Sequence, residues 1–133
     1  MRLRRLPVLA LLATLPLAAA EIAAKHPLTV DDIWSVVRVG RPVASPDGRS
    51  VVYPRTTYEA AKNRSLTDLW LQPVAGGPGR RLTAHESAES APAVSPDGTR
   101  VVFVAKRDDD REAQLYLLRL DGGEAERLTR MPR

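Results

Sequence analysis

A serine nucleophile set on a sharp strand-to-helix turn needs small residues on both sides of it, in the pattern G-x-S-x-G, so that the backbone can bend and expose the hydroxyl. The nearest approach here is Gly48-Arg49-Ser50-Val51-Val52, which lacks the second glycine and puts Ser50 at a strand edge. A nucleophile also needs a base within hydrogen-bond reach. The two histidines are His26, beside Pro27, and His85, after Leu82-Thr83, and neither belongs to a recognisable serine constellation. Both read as exposed polar residues. The run Asp108-Asp109-Asp110 offers carboxylates, which are calcium ligands. Adjacent side chains on an extended loop point apart, however, and no spaced ligand set with a turn glycine accompanies them, so the run reads as a solvated hairpin tip. There is no cysteine, which excludes disulfides, thiolate metal sites and a cysteine nucleophile. Asn63-Arg64-Ser65 matches the glycosylation sequon but carries no functional weight. The expectation is a chain with no catalytic, cofactor-binding or metal-ligating residue of its own.

The elements around these residues come from a repeat. Pro42-Val43-Ala44-Ser45-Pro46-Asp47-Gly48 through Val51-Val52-Tyr53 returns 50 residues later as Pro92-Ala93-Val94-Ser95-Pro96-Asp97-Gly98 through Val101-Val102-Phe103. Leu69-Trp70-Leu71, Gly76-Gly77 and Arg81-Leu82-Thr83 return 46 residues later as Leu115-Tyr116-Leu117, Gly122-Gly123 and Arg127-Leu128-Thr129. A unit of roughly 40 to 50 residues carrying several short strands is the signature of a propeller blade, which cannot bury its apolar faces without neighbours. The fold class expected is all-β: a partial β-propeller of about two four-stranded blades, preceded by a signal peptide and a short helix.

Arg2, Arg4 and Arg5 precede an apolar run from Leu6 to Ala20, 15 residues that fall short of the roughly 20 needed to span a bilayer. Residues 1–20 therefore read as a signal peptide cut after Ala20, with no membrane association afterwards, and the chain as exported to the periplasm or beyond. The sequence carries +4, but the leader holds three of the 20 basic residues and none of the 16 acidic ones. What remains is close to neutral, and no basic cluster with interleaved aromatics suggests nucleic acid.

Residues 21–41 read as a leader with a short helix from about Val30 to Val37, because Thr29 and Asp32 fit a capping box and Ile33, Val36 and Val37 share a face. Residues 42–91 and 92–133 are the two blade-like repeats. In each Ser-Pro-Asp-Gly tetrad, proline presets φ, aspartate tolerates the next position and glycine takes the positive φ that reverses the chain. Strands follow from Arg49 to Arg55 and Thr99 to Lys106, and again from Asp68 to Val74 and Ala113 to Leu120, with polar connectors over Thr56 to Thr67 and Arg107 to Glu112. Trp70 and Tyr116 occupy equivalent places and read as packing between blades.

Val30-Asp31-Asp32-Ile33-Trp34 through Arg38-Val39, the two Ser-Pro-Asp-Gly tetrads, Tyr58, Asn63, Asp68-Leu69-Trp70-Leu71, Gly76-Gly77 and Arg81-Leu82-Thr83 resemble the start of the prolyl oligopeptidase family, dipeptidyl and acylaminoacyl peptidases above all. The tetrad is shared with TolB-like periplasmic propellers. The resemblance covers about residues 28 to 130. It implies a two-domain serine peptidase whose propeller gates peptide substrates on their way to a C-terminal α/β-hydrolase domain. The chain itself would supply only the N-terminal propeller part, inactive alone, with the hydrolase domain and further blades as its missing partners. The alternative it leaves open is a TolB-like propeller that binds proteins. Two blades fall short of the about four to eight of a closed ring, so either further blades follow or the chain is a truncated product. Open strand edges would invite self-association.

Overall fold

A computed structural model describes residues 26–132; the expected signal peptide lies outside the described residues. The first element is α1 (Val30–Ser35), capped as expected: the Thr29 hydroxyl accepts the Asp32 amide at 3.3 Å and the Thr29 amide donates to the Asp32 carboxylate at 2.7 Å. It stops short of Val37, because Val36 turns to extended backbone and leads the chain into the first sheet.

That sheet contains β1 (Arg38–Val39), β2 (Val43–Ala44), β3 (Ser50–Glu59), β4 (Arg64–Pro73) and β5 (Arg80–Arg81), all antiparallel. β1 and β2 both pair with β3, so they form one edge strand interrupted at Gly40-Arg41-Pro42, and the sheet has four ladder positions. The second sheet is β6 (Glu89–Val94), β7 (Arg100–Ala105), β8 (Gln114–Arg119) and β9 (Glu126–Arg127), in that order. Its edge strand is irregular at the corresponding place: pairing shifts between Ser90 and Ala93, and Ala91 takes φ +48°. Pro42 and Pro92 explain both interruptions, since a proline has no amide to give the ladder.

The two tetrad turns are built alike. The Gly48 amide donates to the Ser45 carbonyl at 2.9 Å and the Gly98 amide to the Ser95 carbonyl at 2.8 Å. The glycines sit at φ +69° and +70°, a left-handed conformation that costs other residues roughly 1–2 kcal/mol. A second layer of bonds escapes the sequence reading. Each serine hydroxyl donates to the turn aspartate, at 2.6 Å in the first turn and 2.5 Å in the second, and that carboxylate accepts the amide two residues on at 3.0 Å in both.

The polar connector expected over Thr56 to Thr67 is instead mostly strand. β3 and β4 stay in register from Ser50↔Pro73 to Glu59↔Arg64, and Ala60–Lys62 form the tight turn between them. Thr56 and Thr67 face each other and share a 2.8 Å hydroxyl contact, the kind of cross-strand pair that β-branched residues favour. The extra length of the first repeat thus extends a hairpin, and Trp34 of α1 stacks on its Tyr58 with ring centroids 4.2 Å apart.

The core is the seam between the sheets. Val52 and Leu69 from the first blade meet Val101, Phe103, Ala105, Tyr116 and Leu118 from the second, all 6 % exposed or less. Two-residue alternation assigns the faces. The inner face of the first blade carries Val52, Pro54, Leu69 and Leu71; the inner face of the second is aromatic, with Phe103 opposite Tyr116 in register and the rings 5.9 Å apart.

Candidate functional site

The seam is more than apolar contact. Glu89, fully buried on β6, accepts hydrogen bonds from the Thr83 hydroxyl of the first blade and the Arg107 guanidinium of the second. Arg107 lies over both aromatic rings of the seam, 5.2 Å from Phe103 and 4.9 Å from Tyr116, so its charge is held by a carboxylate at one end and by π faces along its length. Arg80 of the first blade donates to the Leu120 carbonyl of the second. A buried charge pair of this type adds little net stability against an apolar substitute, but losing one partner strands the other. It therefore works as a key that fixes how the blades mate.

Asp110 corrects the reading of the aspartate run. Asp108 and Asp109 are exposed, but the Asp110 carboxylate is buried and accepts the Tyr116 hydroxyl at 2.6 Å, the Arg127 guanidinium at 2.6 Å and the Arg107 amide at 3.1 Å. The Tyr116 hydroxyl, and then Arg127, hold its pKa below the ordinary aspartate value. Burial and the bond to Asp110 push the Tyr116 phenol up to about 12. Asp110 is a structural anchor for the β7–β8 connection.

His85 corrects another expectation, for it is half-buried. Its Nδ1 accepts the Ser87 amide at 3.1 Å, which leaves Nε2 to face Asp108 at 3.3 Å. His26 donates from Nδ1 to the Pro27 carbonyl at 2.8 Å. Among the described residues neither histidine bonds a serine hydroxyl, and Ser50 uses its backbone to close the first tetrad turn.

What stays open is one face of each blade. On the first blade, Tyr53 and Trp70 lie opposite each other in register, with the Arg55 guanidinium 4.4 Å from the Trp70 ring and Arg81 bonded to Asp68 at 2.8 Å. On the second, Val102, Val104, Leu115 and Leu117 share the face turned from the seam. All six apolar side chains are half-exposed. No helix among the described residues is long and apolar enough to cross a membrane.

The chain is 33% identical over 108 residues to the uncharacterized peptidase YuxL of Bacillus subtilis, covering 81% of this chain and 16% of that one. It is 39% identical over 77 residues to tricorn protease homolog 1 of Streptomyces coelicolor, covering 58% of this chain and 7% of that one, and 31% identical over 78 residues to dipeptidyl-peptidase 5 of Porphyromonas gingivalis, covering 59% and 11%. The chain thus spans a small part of each of these relatives. Among solved structures, a putative TolB from Agrobacterium tumefaciens matches with TM-score 0.53 at 28% identity, over 68% of this chain and 32% of that one. The β-propeller domain of the trilobed protease from Pyrococcus furiosus matches with TM-score 0.54 at 15% identity, over 70% and 28%. The acylaminoacyl peptidase of Pyrococcus horikoshii matches with TM-score 0.56 at 18% identity, over 72% and 14%; these last two speak to the fold alone. No family model matches the chain. Sequence and fold together match the β-propeller part of prolyl oligopeptidase-like peptidases, with a blade repeat shared by TolB-like propellers.

Proposed function

We propose that this chain acts as the N-terminal propeller portion of an exported serine peptidase of the prolyl oligopeptidase family, in which the blades form a wall that restricts access to a hydrolase domain. The observation that carries the reading is the 33% identity to a peptidase over 81% of the chain. Its physical support is the keyed seam between the blades, which gives the wall a fixed shape. Selectivity would come from steric exclusion, so peptides pass and folded proteins do not. Export to the periplasm or beyond rests on the arginines and apolar run of residues 2–20.

The test assays the 133-residue chain and the longest polypeptide encoded in the same reading frame, each against aminoacyl and dipeptidyl reporter amides with and without a serine-directed organophosphonate. The chain alone is expected to be inert and the longer polypeptide to turn over short peptides in an inhibitor-sensitive way while sparing folded proteins. Turnover by the chain alone contradicts the reading. A longer frame with blades and no G-x-S-x-G elbow supports the second reading, a TolB-like protein-binding propeller, which the 28% identical match to a putative TolB favours.

A further inference from the structure

Glu89 does not use up the hydrogen-bonding capacity of Arg107. A guanidinium carries five N–H groups; here Nη2 donates to Glu89, while Nε is buried without a partner. Arg107 is only 8 % exposed, and it lines a cleft of about 290 Å³ on the seam side of the second blade, away from both open faces. Leu82, Leu118 and Ala125 give the cleft apolar walls, and Glu124 borders it from the connection between β8 and β9. Glu124 is exposed and enters no salt bridge among the described residues. A carbon added at the neighbouring Gly123 would meet nothing within 4 Å, so the cleft is not filled from that side.

The blade repeat does not demand these charges. Thr57 and Pro78 of the first blade hold the places of Arg107 and Glu124. A buried guanidinium with donors left over calls for an oxyanion. Glu89 already balances the charge of Arg107, however, and Glu124 adds a negative one, so a simple anion is repelled on its way in. A zwitterion satisfies both ends. We infer that the cleft binds a free α-amino acid with an apolar side chain: its carboxylate points inward to Arg107, its side chain lies against Leu82, Leu118 and Ala125, and its ammonium group stays outside beside Glu124. The volume lies just below the about 300–1,000 Å³ of drug-sized ligand sites, which suits so small a molecule. His85 also lines the cleft, but its Nδ1 is taken by the Ser87 amide and its Nε2 faces Asp108.

The inference rests on the seam and not on the peptidase reading, so either can fail without the other. The experiment is calorimetric titration of the full chain with L-leucine, N-acetyl-L-leucine and L-leucinamide. Saturable one-to-one binding of L-leucine is expected at about millimolar concentration. L-leucinamide, which lacks the carboxylate, should bind at least about tenfold more weakly, because a charge-assisted bond to Arg107 is lost. Glu124→Gln should weaken L-leucine about threefold, while N-acetyl-L-leucine, which has no ammonium group, should bind no worse than before. Glu89→Gln keeps a hydrogen-bond acceptor beside Arg107 and removes its countercharge, so it should tighten N-acetyl-L-leucine about tenfold. Ala84 is exposed on the cleft wall, and Ala84→Trp should abolish binding while leaving the urea midpoint unchanged. No saturable heat with L-leucine, equal affinity for all three ligands, or binding that survives Ala84→Trp would each overturn the inference.

Discussion

Trp70 and Tyr116 stand at the same place in the two blades and live in different surroundings. Tyr116 is 6% exposed, packed beside Phe103 under Arg107 and bonded to Asp110. Trp70 is half-exposed, with Arg55 over one side of its ring. The same contrast separates Val52 from Val102 and Leu69 from Leu115. Residue type and strand position are nearly constant across each pair; what differs is whether another sheet lies against the face. A blade therefore does not own its core, and burial belongs to the seam between neighbours.

The contrast can be broken first by truncating one member of each pair. Phe103→Ala empties the middle of the seam and should destabilise by about 3–5 kcal/mol in urea titration. Tyr53→Ala, its repeat equivalent, should change stability by less than about 1 kcal/mol in monomeric protein. Comparable losses at both positions would show that the faces are not distinct.

Next in size is Glu89→Ala, which strands the Arg107 guanidinium and should cost about 3 kcal/mol. Replacing both residues with leucine should recover most of that loss in the same denaturant assay, since the pair serves as a key more than as glue. A double variant as unstable as the single one would contradict this role.

The tetrad turns should behave as twins, because their geometry does not depend on the seam. Gly48→Ala and Gly98→Ala each force alanine to a φ near +70°, with nothing closer than 3.7 Å to the added carbon at either site. Each should lower stability by roughly 1–2 kcal/mol, and thermal melts would reveal any inequality.

The smallest effect is an alkaline pH dependence carried by Tyr116 of the second blade. Tyr116 has its folded pKa raised from 10.0 to about 12, so its contribution is complete below pH 10 and fades as pH climbs toward 12. Tyr116→Phe should flatten the alkaline limb of a stability-versus-pH curve, while Trp70→Phe should leave it alone. At the acid end, the Ser95 hydroxyl and the Thr99 amide lower Asp97 from 3.8 to about 2, so its contribution is present above pH 3.8 and lost as pH falls through 2.

Much of this was legible in the residues. The repeat fixed the turns, the strand identities and the equivalence of Trp70 with Tyr116, because turn chemistry and β-branched runs act locally. The capping box at Thr29 was equally local. The connection from Thr56 to Thr67 was misread, since its polar threonines suggest a loop until a partner strand is seen to pair them. Asp110 and Glu89 were missed as buried anchors for a related reason. Their partners, Arg127 on β9 and Thr83 just past β5, are brought in by the fold, and no short-range pattern announces such meetings. The candidate site is therefore least visible in the sequence where it depends on one blade meeting another.

The most direct test of the seam uses the lack of cysteine. Leu69→Cys and Leu115→Cys place single thiols at equivalent points on the buried and open faces, and a thiol-reactive dye can be followed under native conditions at a dilution where the chain is monomeric. The account predicts that the thiol at 115 reacts as freely as one on a surface strand, and that the thiol at 69 reacts at least ~100-fold more slowly, until denaturant opens the seam. Equal rates at the two positions would contradict it.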